Sequence, residues 1–144
     1  MFVEAANNRN ISVGTLDKAD SPAKQINDSK LNVEGSFSDP QAIRKLAGQC
    51  DILTVEIEHV DTYVLEELER EAVARGKKLE IHPSWQAIRT IQDKYLQKTA
   101  LIEGKVDVAE SIPISAATKE GLQRAAETIG LPFMLKARTG AYDG

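Results

Sequence analysis

Two stretches of this 144-residue sequence place charged side chains where an α/β topology makes ligand sites. The first is Lys136, at the end of the apolar run Pro132-Phe133-Met134-Leu135, followed by Gly140 and by Ala141-Tyr142-Asp143-Gly144. A lysine at a strand end reaches a nucleotide phosphate as a point charge. Glycines after it let backbone N–H groups turn toward phosphate oxygens. The same residues also spell a β-hairpin, because Asp-Gly is a strong hairpin turn; a hairpin that closes over phosphates satisfies both readings. The second stretch is Val55-Glu56-Ile57-Glu58-His59, after the run Asp51-Ile52-Leu53-Thr54. In open α/β sheets, ligands sit beyond the carboxyl ends of the strands. If the strand continues, alternation sets Glu56 and Glu58 on one side, where carboxylates suit ribose hydroxyls or a substrate amino group. A helix cap or a solvated strand end accounts for them equally well. Glu56, Glu58 and His59 are too close in sequence to converge easily on a metal.

Other candidates are weaker. Asp17 ends a strand-like run, where dinucleotide folds place an acid on ribose hydroxyls, but the matching glycine motif is missing from this sequence. Asp93-Lys94 and Lys98 read as members of an amphipathic helix, and such charges are usually solvated. Trp85 and Tyr95 read as core or interface residues, Cys50 as a buried thiol and His82 as an exposed ring. No spacing suggests a Ser/His/Asp or Cys/His nucleophile.

The elements that must position these residues alternate. Residues 2–9 read as a helix end and 11–16 as a strand, followed by a polar loop at Ser21-Pro22-Ala23 and a short strand near 31–33. Ser38-Asp39-Pro40 starts a helix with Ile43, Leu46 and Ala47 inward. The run 51–55 reads as a buried parallel strand. Asp61 caps a helix with Val64, Leu65, Leu68 and Ala72 on one side, and Gly76 stops it. Residues 78–81 form another strand, closed by Pro83. This β/α rhythm predicts a parallel sheet with helices on its faces. Residues 84–103 then read as one helix, with Trp85, Ile88, Ile91, Tyr95, Leu96 and Leu101 inward, and 106–114 as a strand. Thr118 caps a helix ending at Gly130, and 132–136 is a last strand. The boundary falls at Pro83-Ser84.

Composition narrows the function classes. Eighteen Lys+Arg against 22 Asp+Glu give a net charge of −4, which disfavours a non-specific nucleic-acid or anionic-membrane binder. No apolar run reaches the ~20 residues of a membrane span. The start has no basic n-region or apolar h-region. A lone cysteine fits a reducing compartment, so a cytoplasmic location is expected. Both ends read as cut: the first helix begins at Met1 without a cap, and the chain stops inside a glycine turn.

Four motifs in order carry a resemblance over essentially the whole chain. They are Asp51-Ile52-Leu53-Thr54-Val55-Glu56-Ile57-Glu58-His59-Val60; His82-Pro83; Ile91-Gln92-Asp93-Lys94-Tyr95-Leu96-Gln97-Lys98; and 131–144, from Leu131-Pro132 to Asp143-Gly144. Leu16-Asp17 and Ser21-Pro22-Ala23-Lys24-Gln25 match as well. Together they resemble the ATP-grasp carboxylases of the purine pathway, the N5-carboxyaminoimidazole ribonucleotide synthetases. The likeness is greatest to the fungal phosphoribosylaminoimidazole carboxylases, which carry a mutase-type domain downstream.

The resemblance implies an α/β fold in two parts. Residues 1–83 would be a Rossmann-like, pre-ATP-grasp substrate-binding domain lacking its first strand. Residues 84–144 would be linking helices and the start of the ATP-grasp ATP-binding domain. Met1 matches the last residue of the family's glycine-rich turn, which would make the chain an internal fragment, inactive alone. The resemblance assigns Lys94, Lys136, Ala141, Tyr142, Asp143 and Gly144 to ATP, and Glu56 and Asp17 to the ribonucleotide substrate, with no catalytic nucleophile and no metal ligand in the fragment. It implies ATP with Mg²⁺ held by residues outside it, bicarbonate and aminoimidazole ribonucleotide as small-molecule substrates, no nucleic-acid polymer or membrane partner, and a homo-oligomeric parent. Departures are Ala141 for a common glycine, Lys94 for a common arginine, which loses fork geometry, and Asp107 for a proline. The alternatives are a formate-dependent glycinamide ribonucleotide transformylase-like ATP-grasp enzyme and a non-catalytic α/β binding module.

Overall fold

Asp39, Asp61, Asp93 and Thr118 cap four of the helices of this chain through their side chains. In the computed structural model, which describes residues 2–27 and 29–140, Asp39 Oδ1 accepts from Gln41 N–H at 2.9 Å and caps α3 (Pro40–Ala47), with Pro40 in its first turn. Asp61 accepts from Tyr63 and Val64 N–H and caps α4 (Thr62–Ala74). Each such cap satisfies N–H groups that have no partner within the helix. At the far end of α4, Gly76 has φ +62°. Its N–H donates to the Val73 carbonyl and that of Lys77 to the Ala72 carbonyl, a Schellman stop that needs the left-handed conformation glycine adopts without strain.

Residues 1–89 form one compact unit. After α1 (Phe2–Asn7) come β1 (Leu16–Asp17), α2 (Pro22–Gln25) and β2 (Val33–Glu34), then α3, β3 (Ile52–Thr54), α4, β4 (Glu80–His82) and α5 (Trp85–Gln92). The strands pair in parallel as β1-β2, with Leu16 opposite Val33, and β3-β4, with Leu53 opposite Ile81. Among the described residues these are two separate two-stranded sheets. The predicted strand 11–16 contributes only Leu16 to a ladder, and the predicted loop at 21–23 is the start of α2. Pro22 has the φ a first helical turn needs, while the amide of Asn32 bonds the backbone at Thr15 and Asn27, tying 13–15 through a side chain instead of a strand.

The core lies between the strands and α3, α4 and α5. Ile43, Ala47, Leu53, Val60, Val64, Leu65, Ile81 and Ile88 make one buried cluster, with Leu16, Leu46, Leu68 and Trp85 packed on it. The flank of α4 beside α3 is charged: Glu67 and Glu71 both pair with Arg44 of α3. Arg89 is held between the rings of Tyr63 (4.2 Å) and Trp85 (4.5 Å). It also donates to Thr62 Oγ1, the Thr62 carbonyl and Glu66, and Trp85 Nε1 donates to Glu69. These contacts bind the first turns of α5 to α4, and the compact unit runs through Arg89.

Residues 90–144 form the second unit. The single helix expected over 84–103 is two, because Asp93 leaves the helical conformation (φ −114°, ψ 107°) and caps α6 (Lys94–Glu103). Of its predicted inward residues, Ile88 is buried and Trp85 half-buried, while Ile91, Tyr95, Leu96 and Leu101 are exposed. Thr118 caps α7 (Lys119–Ile129) as expected, accepting from Gly121 N–H at 3.2 Å. The predicted strands 106–114 and 132–136 have no ladder partner among the described residues, and an apolar run without a neighbour to bond is not a strand.

Leu65 is fully buried, so Leu65→Ala is expected to cost about 2–5 kcal/mol of unfolding free energy. Gly76→Ala forces a side chain into the left-handed region and is expected to cost roughly 1–2 kcal/mol. Denaturant unfolding of the two variants checks both, and the ranking Leu65→Ala above Gly76→Ala checks that the α4 core face outweighs its stop.

Candidate functional site

The singled-out residues fall into two groups, one in each unit. In the first unit, β1 and β2 run parallel and end together at Asp17 and Glu34, while β3 and β4 end together at Thr54 and His82. Asp17 is half-buried. Its side chain accepts from the Lys18 N–H at 2.7 Å, and its carbonyl accepts from Lys24 Nζ at 2.6 Å. The carbonyl thereby anchors α2 beside the end of β1, and the second carboxylate oxygen has no hydrogen-bond partner among the described residues.

Glu56 lies past the end of β3, which stops at Thr54; residues 56–58 form a bend. The alternation that would have set Glu56 and Glu58 on one side of a strand therefore does not operate. Glu56 is exposed, and Glu58 lies 3.9 Å from His59 Nε2. The bend comes where the chain must turn into the Asp61 cap of α4, so the sharp start of that helix shortens the strand. Among the described residues, no three His, Cys, Asp or Glu side chains converge as a metal site.

In the second unit, Asp93 joins two segments. One carboxylate oxygen accepts from Tyr95 and Leu96 N–H at 2.9 and 3.1 Å. The other accepts from Arg138 Nε at 2.6 Å. Lys94 N–H donates to the Arg138 carbonyl at 2.9 Å, and the Arg138 guanidinium lies 5.3 Å from the centre of the Tyr95 ring. The start of α6, with Lys94, is thus joined to the segment that carries Lys136. Both lysines are exposed, and among the described residues neither ammonium has an ion pair. Lys98 is engaged with the Ala109 carbonyl at 2.7 Å. Ala141, Tyr142, Asp143 and Gly144 lie outside the described residues.

Sequence reasoning gave Arg138 no role, and no local pattern marks it, because its partner is 45 positions away. The cap role of Asp93 is absent from the sequence reading, which runs one helix through it; the break at Asp93 is a feature of the structure. Burial raises the Asp93 carboxyl, but the hydrogen bonds from Leu96 N–H, Arg138 and Tyr95 N–H outweigh it and hold the group below the usual aspartate range. By contrast, burial pushes the Cys50 thiol up. Its Sγ donates to the Leu46 carbonyl at 3.3 Å, an inert setting for a thiol. An open cleft of about 510 Å³ is walled by Asn7, Asn10, Ser12, Asn27 and Ser29. It contains none of the singled-out residues and no charge to hold a phosphate.

Residues 1–92 match the family model of the ribonucleotide synthetase preATP-grasp domain. The chain belongs to this family. Among curated relatives of this preATP-grasp chain, the phosphoribosylaminoimidazole carboxylase of Saccharomyces cerevisiae is 49% identical over 144 residues, all of this chain and 24% of the relative. Two solved structures of the Aspergillus clavatus enzyme are 47% identical. The N5-carboxyaminoimidazole synthase in complex with ADP and 5-aminoimidazole ribonucleotide has a TM-score of 0.88, covering 96% of this chain and 35% of that one. The carboxyaminoimidazole ribonucleotide synthase complexed with ATP has a TM-score of 0.90, covering 100% and 36%. The chain spans about a quarter of the length of the curated fungal relatives and about a third of these structures. The α/β architecture with parallel strands expected from the β/α rhythm is the one the structure shows.

The low pKa of Asp93 has a definite sign. A carboxyl held down in the folded state adds stability that is complete above its unfolded value, near ~3.9, and is lost as pH falls through the lower folded value. The difference in thermal midpoint between wild type and Asp93→Asn is therefore expected to stay constant from neutral pH to about 5 and to shrink below about 4. A pH series of melting curves for the two proteins checks this.

Proposed function

We propose that this sequence is part of an ATP-dependent carboxylase that acts on 5-aminoimidazole ribonucleotide in purine biosynthesis. The observation that supports it best is the match, over 96% of this chain, to the Aspergillus clavatus enzyme holding ADP and 5-aminoimidazole ribonucleotide. In this reading Lys136, Lys94 and the Ala141-Tyr142-Asp143-Gly144 turn bind ATP, and Glu56 and Asp17 bind the ribonucleotide. The protein works in the cytoplasm as a homo-oligomer, on small molecules and away from membranes.

The chemistry balances with the substrates alone. The γ-phosphoryl group passes from ATP to a bicarbonate oxygen, leaving ADP. The exocyclic amine of the ribonucleotide attacks the carboxyl carbon, inorganic phosphate leaves, and the nitrogen loses a proton. In a parent with a downstream mutase-type domain, that domain then moves the carboxyl group to carbon, and the overall reaction, read in reverse, is of the lyase or decarboxylase class. Mg²⁺, when bound with the nucleotide, supplies charge neutralisation that the two lysines supplement.

The residues of this chain act by position and charge, which is most of what phosphoryl transfer asks of a protein. Lys136 and Lys94 are exposed ammonium groups on the two segments that Asp93 joins, suited to phosphate oxygens that bear growing negative charge. Glu56 is an exposed carboxylate past the carboxyl end of β3, where α/β folds bind ligands. It accepts hydrogen bonds from hydroxyl or amino groups and cannot serve as a phosphate contact.

The test is ADP formation by the full-length protein carrying this sequence, with bicarbonate and either 5-aminoimidazole or glycinamide ribonucleotide. Turnover with the aminoimidazole substrate alone is expected; turnover with glycinamide ribonucleotide and formate would replace this reading with the transformylase one. Lys136→Met is expected to lower turnover by roughly 10²–10³-fold, the size of losing one donor that stabilises transition-state charge. Glu56→Gln is expected to raise KM for the ribonucleotide about tenfold, leaving KM for ATP unchanged.

A further inference from the structure

We propose that Asp93 and Arg138 are positioning residues that lock the two lysine-bearing segments of the nucleotide half-site into one rigid junction. The inference rests on the nucleotide-binding reading of Lys94 and Lys136 and adds to it the device that sets their spacing.

The junction is built from three interactions that share one carboxylate and one residue's main chain. Asp93 Oδ1 closes the first turn of α6 through Tyr95 and Leu96 N–H. Asp93 Oδ2 takes the Arg138 Nε–H at 2.6 Å. The Arg138 carbonyl in turn takes the Lys94 N–H at 2.9 Å. So the first free N–H of α6 is satisfied by the very residue whose side chain the cap holds. Asp93 is 9% exposed, although the Arg138 side chain is 58% exposed. The buried partner fixes the geometry and the exposed one is docked on it. A charge-assisted bond to a buried carboxylate is about twice as strong as a neutral one.

What the junction does follows from the sequence around it. Lys94 is the residue directly after the cap, and Lys136 lies two positions before Arg138. With the junction formed, both lysine backbones are fixed relative to each other through a short path of hydrogen bonds. With it broken, the segment 132–140, which has no strand partner among the described residues, is tied to α6 only by weaker contacts. A lysine is a point charge on a flexible stem, so its usefulness to a phosphate depends on how well its backbone is placed. Effective positioning of this kind is where much of a binding site's advantage comes from. Arg138 serves the site by docking, its guanidinium engaged by Asp93 and lying near the Tyr95 ring.

The test compares wild type, Asp93→Asn, Arg138→Gln and the double variant in the full-length protein. Asp93→Asn keeps an amide oxygen for the cap and removes the charge that holds Arg138. Each single variant is expected to raise KM for ATP roughly tenfold, with KM for the ribonucleotide within about twofold of wild type. The double variant is expected to be no worse than the worse single one, because both remove the same interaction. Hydrogen exchange resolved at single amides gives a second readout: Lys94 N–H, bonded to the Arg138 carbonyl, should exchange faster in both singles, while Gln97 N–H, bonded to the Asp93 carbonyl, stays slow. Equal rises in both KM values, or additive effects in the double variant, would overturn the proposal in favour of a merely structural contact. So would an unchanged KM for ATP with faster Lys94 exchange. If wild type shows no turnover, the carboxylase reading falls, and the comparison moves to binding of a fluorescent ATP analogue: about tenfold weaker binding by the singles supports the junction, and equal binding or none by wild type overturns it.

Discussion

The burial of one face of α4 is the constraint on which the first unit depends. Leu65 is fully buried and Val64 nearly so, in a cluster that draws on α3, β3, β4 and α5. Strands of two and three residues cannot stand alone; they persist because their apolar residues, Leu53 and Ile81 above all, are closed over by this helix and its neighbours. The charged face of α4 then meets Arg44 and Arg89, so both faces of the helix hold neighbours in place. Two devices limit its length, the Asp61 cap and the Gly76 stop, and both act on backbone groups that no tertiary contact would satisfy.

The same economy of capping organises the second unit, with a different outcome. Asp93 interrupts what would be a continuous helix, and the interruption is useful because the freed carboxylate binds two partners. A cap normally satisfies only its own helix. Here the second oxygen reaches across 45 positions of sequence to Arg138. The local rule for starting a helix thus becomes a long-range tie between α6 and a segment with no ladder of its own.

The chemistry proposed for the parent protein needs little from side chains beyond charge in the right place. No thiol is activated: Cys50 is pushed toward its neutral form by burial. The two lysines are exposed, Asp17 is the last residue of β1, Glu56 lies past the end of β3, and the parallel pairing of β1 with β2 and β3 with β4 brings strand ends together in twos.

How much was legible in the sequence divides along the range of the forces involved. Helix starts at Asp39, Asp61 and Thr118 and the stop at Gly76 could be read directly, because a cap is a contact between residues two or three positions apart. The core residues of α3 and α4 were legible too, since a 3.6-residue period reports which face is buried. The ordered motifs identified the family, and with it the candidate roles of Asp17, Glu56, Lys94 and Lys136. Only the tertiary structure decided what depends on distant partners. Strand length at 11–16, 106–114 and 132–136 required a neighbouring backbone to bond, and the bend at Glu56 followed from the turn into α4. Trp85 and Arg89 belong to the first unit through contacts with Tyr63, Glu66 and Glu69. Arg138 gained its contact from an aspartate that helical periodicity alone leaves inside one continuous helix.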